Sequence, residues 1–377
     1  MPFLRNQPVI QTEVLIVGGG IVGASAALAL RHMNIAVTLL ERDVCGAHSS
    51  GVNYGGVRRQ GRGLSQLPLS IRAHAIWSNL SSLIGIEGEY IRSGHLKIAR
   101  SEADLVSLEA YRARTVEYGM DLQMLSTRDL RALYPWLGTR AIGGSLCPQD
   151  GHANPRLVSP AFAQAARQAG ADIHEHTRVD SLYFDGEYFR VKTGPGFEFK
   201  SRYLLNCAGA WAGKIAADFC EPVPMTAIHP VMVVTEPLPA FMNLSLGVEG
   251  GGVYARQAPR GNCVIGGSRG FALDDTRARP SREAINMVLS QTVELLPTLR
   301  HAHIIRSWSG TEGSLPDREP VIGLSATTPG LIHGFGFSGA GFQIGPAVGE
   351  ALAEIVRDGH SSTPIDAFSI SRFTQAA

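Results

Sequence analysis

Residues 14–23 read VLIVGGGIVG, and this stretch decides the fold. Val14 to Val17 form an unbroken apolar run, as a strand buried on both faces of a parallel sheet requires. Gly18, Gly20 and Gly23 follow with G-x-G-x-x-G spacing. The first suits a tight turn, the second lets backbone approach a pyrophosphate, and the third lets a helix lie close on the strand. From Ile21 onward Val22, Ala26, Leu28 and Ala29 recur at helical spacing. The helix N-terminus carries roughly half a positive charge, which favours an anion. AVTLL at 36–40 predicts a second strand, and Glu41 follows it, 23 residues after Gly18. A carboxylate near that spacing grips ribose hydroxyls. Strand, turn, helix, strand and acid together point to a dinucleotide rather than to a glycine turn without a ligand.

The same spacing recurs in HGFGFSGAGFQIG, at Gly334, Gly336 and Gly339. Here no second strand follows; Glu354, 20 residues past Gly334, falls inside the helical pattern PAVGEALAEIVRDG. A second dinucleotide therefore has no ribose acid. The pattern predicts a short strand (LIHGF), a glycine-rich turn and a helix starting near Pro346, a favoured first-turn residue. Either the tail glycines bring backbone N–H groups to a flat, electron-rich ring such as a flavin, or they only permit tight packing. On the first reading both ends of the chain hold one FAD, and the tail helix stabilises negative charge on the reduced ring. A nicotinamide cofactor also fits the first motif but leaves the tail unexplained.

The 377 residues suggest two domains, or one large domain with an insertion. Hydrophobic residues make up 44% and charged residues 18%, as in a globular enzyme with a large core. A net charge of +1 argues against a nucleic-acid partner. The five cysteines are odd in number and form no C-x-x-C pair, so no zinc site, iron–sulfur cluster or other metal centre is expected in this chain. Free thiols in a reducing compartment follow. The polar leader before the first strand does not read as a signal peptide, and no uncharged apolar run is long enough to span a membrane.

Five stretches carry a family resemblance in order: VLIVGGGIVGASAALAL, LLERDVCGAHSSGVNYGGVRRQ, DGHANPRLVSPAFAQAARQAG, LLNCAGAWA, and the tail from RSWSGTEGSLPDREPVIG through GFGFSGAGFQIGPAVGEALAEI. The chain resembles the FAD-dependent amine- and amino-acid-oxidising family of glycine oxidase, sarcosine oxidase and D-amino-acid dehydrogenases. Its tail is most similar to the FAD subunits of heteromeric opine and D-hydroxyproline dehydrogenases. The resemblance implies an α/β fold in which a Rossmann-like FAD-binding domain is interleaved with an antiparallel-sheet substrate domain. Residues 10–90, 150–215 and 300–377 would form the first, and 91–149 and 216–299 the second. Local patterns agree: SLYFDGEYFRVKTG reads as a hairpin around Asp185-Gly186, VYARQ-APRG-NCVIGG as another, HPVMVVTE as a strand, and 101–134 as surface helices.

The resemblance also implies roles. Gly18, Gly20 and Gly23 would cradle the pyrophosphate, Glu41 bind the adenosine ribose, and Arg42 lie near the adenine. Ser49, Ser50, Gly55 and Gly56 would pass the pyrophosphate and flavin, although turn chemistry accounts for the serines equally well. Val179, after the strand ADIHEHTRV, would touch the adenine, and Ala208, Gly209 and Trp211 would lie beside the cofactor, with ordinary core as the alternative for Trp211. Gly336, Ser338, Gly339, Gly341, Phe342 and Gln343 would face the isoalloxazine. Arg58 matches a carboxylate-binding arginine, with Arg59 as substitute if the register slips by one and a surface arginine as the bland alternative.

Departures matter as well. Gln343 stands where sarcosine oxidase has a second carboxylate contact, a lysine. Glu312 stands where glycine oxidase has an arginine; it either attracts a cationic part of the substrate or pairs with Arg318. No lysine stands near Val264 to assist reaction with oxygen, and no flavin-linking cysteine stands near RSWSG. The expectation is noncovalent FAD and a dehydrogenase delivering electrons to a second flavin or iron–sulfur subunit or a quinone. It would be cytoplasmic, with any contact to the inner membrane made through partners. A standalone oxidase producing hydrogen peroxide and a noncatalytic flavin-holding electron-transfer subunit are the alternatives. His152, His229 and His333 are the histidines nearest the site segments, but amine oxidation by flavin needs no catalytic histidine, and His229 and His333 border apolar strands and read as core histidines.

Overall fold

The computed structural model describes residues 9–194 and 197–373 and is built on two eight-stranded sheets. In the first, the spatial order is Val321–Leu324, Leu331–Phe335, Phe197–Asn206, Val9–Val17, Val37–Leu40 and Asp172–His174. All of these run parallel except the outermost Val321–Leu324. The hairpin Val179–Phe184/Phe189–Thr193 pairs antiparallel with the start of the long Phe197–Asn206 strand. Parallel strands need helical crossovers, and these cover the faces. The helix Ile21–His32 lies between Pro155–Gln168 and the tail helix Gly341–Asp358. Contact with the tail helix is close because Gly345 and Gly349 face it: a Cβ at Gly349 would come 2.6 Å from Ala26 N.

The second sheet runs Ile304–Ser309, Pro230–Pro237, Asn262–Arg269, Tyr254–Gln257, Ser245–Val248, His95–Ala99, Gly143–Cys147 and Gln123–Ser126. It is antiparallel except where Ser245–Val248 meets His95–Ala99. Helix Arg282–Leu295 covers one face, and a separate core around Val233, Leu246, Ile265 and Val288 holds the two together. A sandwich of helices on a parallel sheet thus stands beside a sheet with its own core.

Four local expectations need correction. Ile304–Ser309 pairs with Val231–Thr235 in the second sheet, although the resemblance places residues 300–377 wholly in the first unit; the chain completes this edge strand before crossing back. Residues 101–134 hold helices Glu102–Thr115 and Thr127–Leu133 but also the strand Gln123–Ser126, whose partner Gly143–Leu146 only the fold supplies. The strand expected at ADIHEHTRV stops at Asp172–His174, because His176 takes φ +54° and the chain turns to bond Asp43 and Glu41 carbonyls; Val179 already opens the next strand. The tail helix begins at Gly341, so Pro346 lies inside it rather than at its start.

Candidate functional site

A cavity of about 1230 Å³ opens between the two sheets. Drug-sized ligands occupy roughly 300–1,000 Å³, so there is room for a long cofactor and a substrate together. Its walls come from both ends of the chain: Gly18 and Gly20 at one end, Gly336, Gly339 and Gly341 at the other.

At the N-terminal turn, Gly18 takes φ +108° and a Cβ there would lie 2.3 Å from the Cys207 carbonyl, so only glycine fits. Gly20 precedes the helix, which has no side-chain cap from Gly20 and no acid in its first turn. Ile21 N–H donates to Ser50 Oγ at 2.9 Å, and Ser49 Oγ donates to the Thr311 carbonyl, so the two serines tie the turn to the far segment. Glu41 is buried at the end of the second strand; its Oε2 accepts from Gly19 N–H at 2.7 Å and its Oε1 from Asp43 N–H at 2.9 Å. Asp43 and His48 gather close to it, but they bond each other at 2.6 Å. Arg42 stacks 3.7 Å over Trp211, leaving its Nη2 buried without a partner. Trp211 is half-buried, lines the cavity and donates its indole N–H to the Asp275 carbonyl at 2.8 Å. It is not a core residue. Val179, Ala208, Gly209 and Gly56 also line this space.

At the tail turn, Ser338 takes φ +48° and Gly339 φ +93°. Ser338 Oγ accepts from Leu315 N–H at 3.1 Å, which fixes the turn against the strand Glu312–Ser314. Phe342, Ser338 and Glu312 line the cavity, and Glu312 Oε1 accepts from Gly339 N–H. Burial pushes the Glu312 carboxyl up from its ordinary value, against the pull of that N–H and of Arg62, Arg318 and Arg269. No ion pair joins Glu312 to Arg318, so the purely structural pairing considered for it does not form.

Three expected contacts fall elsewhere. Gln343 is fully buried beneath the turn; its amide exchanges hydrogen bonds with Ser70 Oγ and the Ser70 carbonyl at 3.1 and 3.0 Å, and its carbonyl accepts from Trp77. It faces the core because position 343 lies in the first turn of the helix, on the side packed against Leu67–Trp77. Gly23 and Gly55 do not line the cavity. A Cβ at Gly23 would meet the Gly18 carbonyl at 2.0 Å, and one at Gly55 the Ala153 carbonyl at 2.1 Å, so both act through backbone packing.

The segment between the turns supplies the arginines. Arg58 lines the cavity and donates only to the Gln60 carbonyl, whereas Arg59 turns away toward Asp150, with Nε 3.8 Å from Oδ1. Asp150 decides between them. It is fully buried and accepts from Arg59 N–H at 2.8 Å and Gln60 N–H at 2.9 Å, so it sets the direction of the whole loop. Gln60 in turn bonds His95 Nδ1 at 2.9 Å and the Ser145 carbonyl at 3.0 Å. Burial raises the Asp150 carboxyl above its ordinary value and holds His95 well below its own. Arg62 also lines the cavity; its Nη1 donates to the Gly339 carbonyl at 3.2 Å and its Nε to the Arg58 carbonyl at 3.3 Å. Burial depresses Arg62 to about 9, with Arg58 adding to the effect. Sequence reasoning missed Asp150, Arg62, Tyr54 and Tyr254, of which Arg62 alone carried a signal, as the third arginine of RRQGR. Tyr54 and Tyr254 stack edge to face at 4.9 Å on the cavity wall, and the Tyr54 hydroxyl is buried without a partner.

Neither His152, His229 nor His333 lines the cavity. His333 is buried against Glu221 at 3.0 Å, His152 against Ser93 at 3.2 Å, and half-buried His229 against Thr311 at 3.3 Å. All five cysteines are free thiols. Among the described residues, no helix is long and apolar enough to cross a membrane.

A glycine turn at a helix start, a buried acid closing the next strand and a second glycine turn lining the same long cavity define a flavoprotein of the doubly wound class. The chain belongs to the FAD dependent oxidoreductase (DAO) family, whose model matches residues 13–355, and its cofactor is FAD. The mouse mitochondrial pyruvate dehydrogenase phosphatase regulatory subunit is 26% identical over 96% of this chain, which spans only 43% of that relative's length. An opine oxidase subunit of Rhizobium meliloti is 27% identical over 96% of this chain and 98% of its own. Glycine oxidase of Geobacillus kaustophilus is 24% identical over 96% and 97%. The crystal structure of glycine oxidase from Geobacillus kaustophilus has the same fold, with a TM-score of 0.90 at 23% identity, covering 97% of this chain and 99% of that one.

Proposed function

We propose that this protein oxidises the C–N bond of an amino acid or secondary amine, as the substrate-oxidising subunit of a heteromeric dehydrogenase. The observation that carries the reading is Arg58: a guanidinium free of any carboxylate, lining the same cavity as the flavin-side glycine turn. A planar arginine can grip a substrate carboxylate bidentately and so orient the carbon that reacts. The wall accommodates FAD in two respects: the Arg42 Nη2 group and the Tyr54 hydroxyl are buried without partners. Gly18, Gly20, Ser50 and the N-terminus of the first helix would hold the pyrophosphate, Glu41 the ribose, Arg42, Val179 and Trp211 the adenosine end. Gly336, Ser338, Gly339, Gly341 and Phe342 would face the isoalloxazine, held noncovalently.

Bound FAD supplies the hydride acceptor. Arg58 holds the substrate carboxylate, and Tyr54, Tyr254 and Phe342 exclude water from the reacting carbon. That carbon loses a hydride, the nitrogen lone pair forms the imine bond, and water later hydrolyses the imine. Nitrogen must be neutral to do so, and the surrounding guanidiniums disfavour its ammonium form. Transfer to a partner subunit rather than to oxygen is supported by Val264, which stands where an oxygen-assisting lysine would be, and by the relative that is a subunit of an opine oxidase.

The test is an anaerobic screen of the yellow holoprotein against D-amino acids, N-methyl amino acids, hydroxyprolines and opines, scored by bleaching of the flavin. At least one class should bleach it, and Arg58→Lys should raise the half-saturating concentration about 10- to 100-fold, as loss of charge-assisted hydrogen bonds worth about 1.5–3 kcal/mol implies. No bleaching by any class would overturn the reading. Rapid reoxidation in air with peroxide formation would transfer the protein to the oxidases.

A further inference from the structure

The substrate end of the cavity holds more positive charge than its own acids balance. Arg58, Arg62, Arg269 and Arg318 all line it, and among the described residues none of the four is in an ion pair. Lys97 nearby is already paired with Glu249, and Asp317 with Arg372. Among the described residues, only Glu312 and Glu319 remain as carboxylates outside an ion pair in this part of the wall. Four guanidiniums facing two carboxylates leave a surplus of two positive charges. Unpaired charge shielded from solvent is costly unless a ligand neutralises it, which bears on Arg62 and Arg58; the exposed Arg269 and Arg318 stay solvated and are free to take a second anionic group.

The four arginines fall into two groups by depth. Arg62 is 7% exposed and Arg58 half-buried, and the two are linked through Arg62 Nε and the Arg58 carbonyl. Arg269 and Arg318 are exposed, one at the end of the strand Asn262–Arg269, the other beyond the strand Glu312–Ser314. Glu312 lines the same wall and is within electrostatic reach of Arg62 from one group and of Arg318 and Arg269 from the other. Of the five N–H donors of each guanidinium, Arg58 commits one and Arg62 two.

We propose that the substrate is an amine carrying two carboxylates, one held by Arg58 and Arg62 and the other by Arg269 and Arg318, with its nitrogen beside Glu312. This rests on the amine-oxidation reading and narrows it. With nitrogen neutral, as loss of hydride requires, a monocarboxylate brings one negative charge and leaves one guanidinium unbalanced. A dicarboxylate brings two and neutralises the site. The second carboxylate takes no part in the bond changes; it supplies affinity and orientation.

Thioethers that cannot lose hydride from a C–N bond isolate the binding step. Thiodiacetate and (methylthio)acetate differ only in the second carboxylate. Each is titrated into the FAD-loaded protein, with the flavin absorption spectrum as readout. Thiodiacetate should bind at least tenfold more tightly, about 1.4 kcal/mol. The exposed pair can be altered without disturbing the core, and Arg269→Ala with Arg318→Ala should close the gap to less than threefold by weakening thiodiacetate. Equal affinities for the two thioethers in the unaltered protein, or a gap the double variant leaves intact, would overturn the proposal. Anaerobic reduction keeps the two levels apart. If N-methylglycine bleaches the flavin as well as N-(carboxymethyl)glycine does, amine oxidation stands and the second carboxylate falls. If no amine bleaches it, both fall.

Discussion

Two turns with the same G-x-G-x-x-G spacing leave the same edge of the first sheet and line one cavity, and they are built differently. In the N-terminal turn, a Cβ at Gly18 would lie 2.3 Å from the Cys207 carbonyl and one at Gly23 2.0 Å from the Gly18 carbonyl; only Gly20 is spared backbone contact, with Ser50 Oγ at 3.0 Å. In the tail turn the crowding falls on Gly334 and Gly336, against Leu352 and Leu315 side chains at 2.8 and 2.6 Å. The third glycine, Gly339, meets nothing within 4 Å although its φ is +93°. The first turn uses its last glycine to bring a helix onto a strand. The second uses its last glycine to bend exposed backbone toward the cavity. Spacing alone does not separate a packing device from a ligand-facing one; what stands opposite each Cα does.

The strongest way to break this comparison is at Gly23. Gly23→Val sets a side chain against backbone that cannot move aside, and the loss of stability should reach about 4 kcal/mol or more, with FAD uptake abolished. A urea titration of the variant that matched the unaltered protein would show that the first turn is not packed as described.

Acid should act first on the loop that carries Arg58. His74, His95 and His152 all crowd behind the loop that carries Arg58: His74 lies 3.6 Å from Asp150, His95 bonds Gln60, and His152 pairs with Gly56. Burial holds His74 and His152 down at about 3, and His95 well below its ordinary value. Folded pKa values below unfolded ones mean that the unfolded chain takes up protons first. The stability these groups support is therefore complete above pH 6.5 and is lost as pH falls from 6.5 toward 3. At about 1.4 kcal/mol per unit, each of the two should cost about 2 kcal/mol by roughly pH 5. Unfolding midpoints in urea at neutral pH and at about pH 5 measure the loss, and hydrogen exchange should show residues 55–62 opening before residues 14–23. A midpoint that did not move would refute the arrangement.

The smallest effect sharpens the contrast. Gly339→Ala meets no steric obstacle, so only the left-handed backbone is penalised, by about 1–2 kcal/mol. The variant should fold while binding FAD more weakly. A loss as large as that of Gly23→Val would mean that both turns are packing devices.

Much of the first sheet was readable because its signals are local. An apolar strand, a glycine turn and a helical period lie within residues 14–32, and the acid at 41 follows from strand length. The choice between Arg58 and Arg59 was not readable. It depends on a carboxylate 91 positions away in sequence from Arg59, buried at 0% exposure. Gln343 misled for the same reason. Its neighbours in sequence face the cavity, but helix packing against Leu67–Trp77 turns position 343 toward Ser70.

By itself, then, the sequence determined that a strand–turn–helix unit would receive a dinucleotide and that the tail could not form a second such unit. Those conclusions need only the spacing of residues along one stretch of chain, where backbone geometry leaves few choices. The tertiary structure alone decided which arginines face the substrate, which glycine stays open, and that Ile304–Ser309 joins the second sheet. Such choices depend on which distant groups occupy the space across from a side chain, and burial, charge and hydrogen bonding act on that space only after the chain has folded.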